Sequence, residues 1–271
     1  MLDVPAVFEN RSRQMTWSRC FPLTAVLQRL PAWGWVLGTA VGFGSAFISF
    51  AWNPAPRRDQ PHALYAPLHQ LIGDTLAGLG RNEEAASRYE QSLKADPDYK
   101  ITLDTYANLL VVTGKAADAL PLYEKALAIS PHDGVTLCNY GCALVSLDRL
   151  GHARPLLEQG LKRHPTSGPA LSSLSWVLAV IDDDSIRDPA RALTLAEQVL
   201  AMNGQGDILG LRSLAAANAG LGKYMDAAAI ADRAAEILAQ AGRQDFSQGF
   251  RAQADHYRSG KDLRIPASPA P

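Results

Sequence analysis

Apolar positions along the chain follow two regimes. Between Arg29 and Arg57 no charged residue occurs, and residues 30–52 form a stretch of 23 mostly apolar or small side chains, where about 20 are needed to cross a hydrocarbon core as a helix. From residue 62 onward the apolar positions instead recur at helical spacing in short segments, each broken by Gly or by an X-Pro pair. The first regime predicts one transmembrane helix over 30–53. The second predicts an all-α domain of short antiparallel helices.

Trp33, Trp35 and Trp52 stand near the two ends of the apolar stretch, where an amphipathic ring is stable at headgroup level. Ser49-Phe50-Ala51 offers a small-residue cleavage site, so a cleaved leader is the alternative to an uncleaved anchor, although its charged forepart of about 30 residues is long for one. Arg13, Arg19 and Arg29 before the stretch outnumber Arg57 and Arg58 after it. That bias predicts a cytoplasmic N-terminus and a periplasmic C-terminal domain at a bacterial inner membrane. Gly34, Gly38, Gly42 and Ala46 recur every fourth residue, leaving one helix face without bulk on which another helix, or a second copy of the chain, could pack.

Beyond the stretch the chain repeats itself. Asp96-Pro97, Ser130-Pro131 and His164-Pro165 fall 34 residues apart, with a Leu four residues before each proline (Leu93, Leu127, Leu161) and an Ala twelve before (Ala85, Ala119, Ala153). A small residue keeps the same step at Gly73, Ala107, Gly141 and Ser175, and Gly80, Gly114 and Asp148 mark a turn. Each unit reads as two antiparallel helices: small residues let the backbones approach, Tyr89 and Leu93 fill the space between, and proline stops the second helix. Units start near Ala66, Lys100, Gly134 and Gly168, and the fourth carries five extra residues within 181–189. A degenerate fifth follows through Leu214, Gly222, Ala227, Ala231 and Ala234. Phe246, Phe250, Ala254 and Tyr257 then fall on one face of an end-cap helix, with Asp245 and Gln248 spaced as a capping box.

Ala107, Ala119, Tyr123, Ala126 and Pro131 make this pattern similar to the tetratricopeptide repeat. The resemblance covers about residues 62–238 and implies an α-solenoid of about five helix-turn-helix repeats. The chain then divides into a tail (1–29), a transmembrane helix (30–53), a linker (54–61), the repeat domain (62–242), a capping helix (243–260) and a disordered tail (261–271). In this repeat class the first helix of each unit lines a concave groove that binds protein segments. The partner-binding positions it implies are Asp104, Thr105, Asn108 and Val112, then Val135, Cys138, Asn139 and Cys142, then Ser172, Ser173 and Trp176. Asn108 and Asn139 match the asparagines of the family's carboxylate clamp, but Asp104 and Ser173 stand where its cations would be. Trp176 is either an apolar anchor for the partner or core packing between repeats.

Charge and candidate chemistry narrow the function. Residues 1–58 carry net +4 and the rest net −5, for −1 overall, which argues against a nucleic-acid-binding surface. The three cysteines lack zinc-site spacing, the six histidines are scattered, and the motifs of nucleophilic, phosphate-binding and dinucleotide-binding sites are absent. Cys138 and Cys142 share a helix face as compact apolar residues, a strained disulfide or part of a soft-metal site being the alternatives. Asp182, Asp183 and Asp184 lack the remaining ligands of a calcium loop and read as a solvated turn. No catalytic site, cofactor or metal is expected. The expected function is a membrane-anchored scaffold or assembly factor for a protein partner. One alternative is a permanent accessory subunit of a membrane complex. Another is a regulatory module of a glycan or polysaccharide export system, because the fourth unit resembles the last repeat of bacterial arrays attached to membrane glycosyltransferase-like proteins.

Overall fold

A computed structural model describes residues 65–267, all within one compact unit spanning residues 60–271. The expected membrane helix, its glycine face (Gly34, Gly38, Gly42, Ala46) and the linker lie outside the described residues. Among those described, no helix is long and apolar enough to cross a membrane. They form eleven helices: α1 (Tyr65–Gly78), α2 (Asn82–Ala95), α3 (Lys100–Val112), α4 (Ala116–Ile129), α5 (Gly134–Ser146), α6 (Leu150–Arg163), α7 (Gly168–Val180), α8 (Pro189–Asn203), α9 (Ile208–Gly220), α10 (Tyr224–Gln240) and α11 (Gln244–Arg258). Odd and even helices pair up to α10, each pair stacks on the next, and α11 packs on α10. The described residues thus form an all-α solenoid.

Local chemistry sets the helix ends. Asp133 caps α5 by accepting from the Val135 and Thr136 amides, Asp188 caps α8 and Asp207 caps α9. Pro189 opens α8, where its missing N–H is no loss. In four of the five pairs, all but α7–α8, the turn passes through a left-handed residue, which favours glycine: Gly80, Gly114, Gly222 and, uncommonly for a side-chain-bearing residue, Asp148 at φ 55°.

Small positions bring the paired helices together. A Cβ added at Gly73 would lie 2.5 Å from the Tyr89 ring, and one at Gly141 would lie 2.6 Å from Leu157 Cγ. At the matching place in the fourth unit the Ser175 hydroxyl donates to the Ala192 carbonyl. Ala107, Ala119, Tyr123 and Ala126 are all buried. Leu93 is only half-buried; the buried neighbour is Ser92, whose hydroxyl meets the Ala66 carbonyl and Thr102.

The C-terminal end departs from expectation. Residues 261–267, expected to be disordered, fold back onto the extra residues between α7 and α8. Ile265 N–H donates to Val180 O and the Asp182 amide donates to Ile265 O, each at 2.8 Å, while Leu263, Ile265 and Ala267 pack on the main core. Asp182, Asp183 and Asp184 are therefore not merely a solvated turn, since Arg264 pairs with Asp184 at 2.9 Å and Asp182 at 3.5 Å. The cap helix also differs in detail. Its N-cap is Arg243, with no side-chain cap, so Asp245 and Gln248 form no capping box. Ala254 and Tyr257 are buried and Phe250 is half-buried, but Phe246 stays exposed.

Candidate partner-binding groove

The open face of the first helices follows from register. In α3, residues Ile101, Thr105, Asn108 and Val112 are spaced i, i+4, i+7, i+11 and share one face. The 34-residue step repeats that face in α5 as Val135, Asn139, Cys142 and Ser146, and Ser173 continues it in α7. Val112 is 80% exposed and Val135 51%, with Ile101 similarly open. Thr105, Asn108, Asn139, Cys142 and Ser173 are half-buried between them. Neighbouring units meet along this line, where the Ser173 hydroxyl donates to Cys142 Sγ at 3.3 Å. Ile101 was absent from the sequence-based set, although it stands one repeat before Val135.

Other expected groove residues are taken up internally. The Asp104 carboxylate pairs with Lys100 Nζ at 2.6 Å and accepts from Thr136 Oγ1 at 2.9 Å; Lys100 also reaches Asp133 at 2.8 Å. This network joins α3 to α5. Burial opposes the Lys100 charge, but hydrogen bonds and the fields of Asp104 and Asp133 outweigh it and raise the lysine pKa. The Tyr123 hydroxyl donates to Asn108 Oδ1 at 2.6 Å, as Tyr89 does to Asp74 one unit earlier. That leaves the Asn108 amide nitrogen as a donor, while the Asn139 amide makes no side-chain hydrogen bond among the described residues.

Cys138 and Ser172, one position away from the open face, are buried. Cys138 lies against Gly160, and the Ser172 carbonyl accepts from the Ser213 hydroxyl. Burial, with a further contribution from Cys142, pushes the Cys138 thiol up to about 11, and burial raises Cys142 against the opposing Ser173 hydrogen bond. Both are free thiols, and no cluster of three metal-ligating side chains exists among the described residues. Trp176 is only 7% exposed, and its ring lies under the Arg212 guanidinium, 4.3 Å from the centroid. The face that remains offers apolar contact and amide or hydroxyl hydrogen bonds, but little open charge.

Family models described as tetratricopeptide repeat match residues 71–134 and 110–175. Residues 71–175 are tetratricopeptide repeats. No curated protein matches this chain. Among solved structures, the MamA protein is 21% identical, covering 66% of this chain and 94% of its own, with a TM-score of 0.50. A tetratricopeptide repeat protein from Parabacteroides merdae is 14% identical over 73% of this chain and 75% of its own, with a TM-score of 0.52. Pseudomonas aeruginosa pilF is 18% identical over 74% and 95%, with a TM-score of 0.50. At such identities the likeness is one of fold. Stacked repeats of this kind are protein-interaction modules whose first helices present an extended surface.

Proposed function

We propose that the chain is a membrane-anchored, non-catalytic scaffold or assembly factor that holds an extended segment of a partner protein along the first-helix face of its tetratricopeptide repeats. The observation that carries this reading is the stripe from α3 to α7, where exposed Ile101, Val112 and Val135 flank uncommitted amide donors on Asn108 and Asn139. Apolar side chains supply contact area, and the amides meet a peptide backbone without selecting its charge. The apolar stretch over 30–52 and its flanking arginines support an inner-membrane anchor that leaves the N-terminus in the cytoplasm and the repeats in the periplasm.

The test uses the full chain in native membranes with a photo-crosslinking residue in place of Thr105. The expected result is a crosslinked partner segment that disappears in a Val112→Lys, Val135→Lys, Asn139→Ala variant whose thermal midpoint is unchanged, because those side chains are not core. Crosslinks that persist in the folded variant would move the contact elsewhere. Labelling of Thr166→Cys by a membrane-impermeant maleimide in whole cells with a permeabilised outer membrane is expected if the repeats are periplasmic. Labelling only after lysis reverses the orientation.

A further inference from the structure

The two ends of the solenoid are finished differently. At the C-terminal end α11 covers α10, whereas no unit precedes α1 among the described residues. The face that α1 turns outward there carries Leu68, Leu71, Ile72, Thr75 and Leu79, spaced i, i+3, i+4, i+7, i+11. Leu68 is 51%, Leu71 59% and Leu79 68% exposed, and Ile72 is half-buried. Thr75 offers no open donor, because its hydroxyl donates to the Leu71 carbonyl at 2.9 Å. Asp74, the acidic side chain of α1, accepts from the Tyr89 hydroxyl on α2 at 2.7 Å and leaves this face uncharged. An apolar, uncharged face at the end of a stacked array, where a polar cap is usual, marks a contact surface.

Register separates the occupants that such a face could take. Leu68 and Ile72 stand one repeat before Thr102 and Tyr106, and two before Thr136 and Tyr140. Those later residues dock their helices on the preceding unit through polar contacts. Thr102 meets Ser92 Oγ at 2.7 Å and Thr136 donates to Asp104, while Tyr106 and Tyr140 lie against Tyr89 and Tyr123 and donate to Glu90 and Glu124. In α1 both positions are aliphatic. The face thus lacks the hydroxyls by which one repeat receives another, from this chain or from a second copy, and suits a phase that offers no hydrogen bonds. Chain length says which such phase is near. Residues 53–64 join the apolar stretch to α1, and a segment of that length reaches at most about 40 Å when fully extended. So short a tether keeps the local concentration of a bilayer high, and a modest apolar face is then enough for attachment. Tyr65, at the head of α1, is 54% exposed, an aromatic of the kind that settles at headgroup level.

We propose that α1 docks on the bilayer surface, with Leu68, Leu71, Ile72 and Leu79 set among the lipid acyl chains just below the headgroups and Tyr65 at headgroup level. This rests on the reading of residues 30–52 as a membrane anchor. It adds a second, reversible attachment that stands the first repeat on the lipid surface.

The full chain, reconstituted into vesicles of equal parts phosphatidylcholine and phosphatidylglycerol, tests it through an environment-sensitive fluorescent residue in place of Leu68. With lipids brominated near the headgroup end of their acyl chains, that probe is expected to lose about half or more of its emission, since an interfacial helix sits at that depth. The same probe in place of Met225, which is 69% exposed on α10, should lose little. A Leu71→Glu, Leu79→Glu variant should abolish the quenching of the Leu68 probe at an unchanged thermal midpoint, because both side chains are mostly exposed. Absence of quenching at the Leu68 probe, equal quenching of the two probes, or quenching that persists in the folded variant would each overturn the assignment. Self-quenching that grows with protein density, in place of quenching by lipid, would give the face to a second copy and overturn it as well. An alkaline carbonate wash separates the docking from the anchor. If the chain stays in the vesicles while the Leu68 probe is unquenched, the anchor stands and the docked face falls; if the wash strips a chain whose probe was quenched before it, the reverse is true.

Discussion

At Gly141 a Cβ would meet Leu157 Cγ at 2.6 Å and Cδ2 at 2.8 Å, with the Leu157 backbone nitrogen close behind. The leucine is fully buried and has no free volume to retreat into. Gly141→Ala is therefore expected to lower unfolding free energy by roughly 1–3 kcal/mol, the usual cost of overpacking. Gly249→Ala makes the contrast: nothing lies within 4 Å of its added Cβ in the middle of α11, so stability should rise by about 0.5–1 kcal/mol. Urea unfolding of both variants checks the opposite signs. The small residue at this position is legible in the sequence because the 34-residue step repeats it at Gly73, Ala107, Gly141 and Ser175. The partner filling the space changes from Tyr89 to Leu157 to the Ala192 carbonyl, and only packing reveals which.

Between α7 and α8 the extra residues interrupt the repeat, and the interruption is visible in the sequence while its use is not. The C-terminal segment that seats on it, through an isolated β-bridge between Ile181 and Ile265, comes from about 80 residues downstream, as the Arg264 to Asp184 contact shows. Its seven described residues, 261–267, are too few to show a periodicity that would suggest a docked segment. Arg187 anchors the join. Its side chain is 9% exposed, its Nε donates to the Ala179 carbonyl and its Nη2 meets Asp262 at 2.5 Å. Asp262→Ala removes the only carboxylate within ion-pair distance of Arg187 among the described residues and should cost about 3 kcal/mol, because a largely buried cation is left unpaired. Asp232→Ala, whose partner Arg258 is exposed, should change stability little. Comparing the two urea midpoints tests whether the tail is an integral part of the fold; equal effects would show that it is not.

At the scale of the whole molecule, tyrosines couple the first three units. Tyr89 and Tyr106 sit 5.8 Å apart and Tyr123 and Tyr140 sit 5.7 Å apart, and the hydroxyls of Tyr106 and Tyr140 donate to Glu90 and Glu124 at 2.8 Å. Burial first, then those glutamates, pushes Tyr106 and Tyr140 up to about 12, and burial raises Tyr89 and Tyr123 as well. Above pH 10 an unfolded chain loses its phenolic protons while the folded chain retains them, so unfolding becomes more favourable as pH rises. Stability should hold below about pH 10, the ordinary tyrosine value, and fall steadily toward pH 12. A urea midpoint that stays flat across that window would contradict the coupling.

The sequence by itself determined the helix pairs, their 34-residue step, the small positions that let them approach and the turn residues between them. Each of these is a local requirement, met within one unit and repeated in the next. Tertiary structure decided which polar and aromatic side chains remain available. Asp104 is taken by Lys100 and Thr136, Ser172 by Ser213, and Trp176 by Arg212, while Asn139 is left open. It also decided that the last residues pack. Apart from the Lys100–Asp104 pair within α3, these outcomes depend on side chains meeting across units 30 or more residues apart, and periodicity records the spacing of such positions but not the chemistry of the pair that meets there.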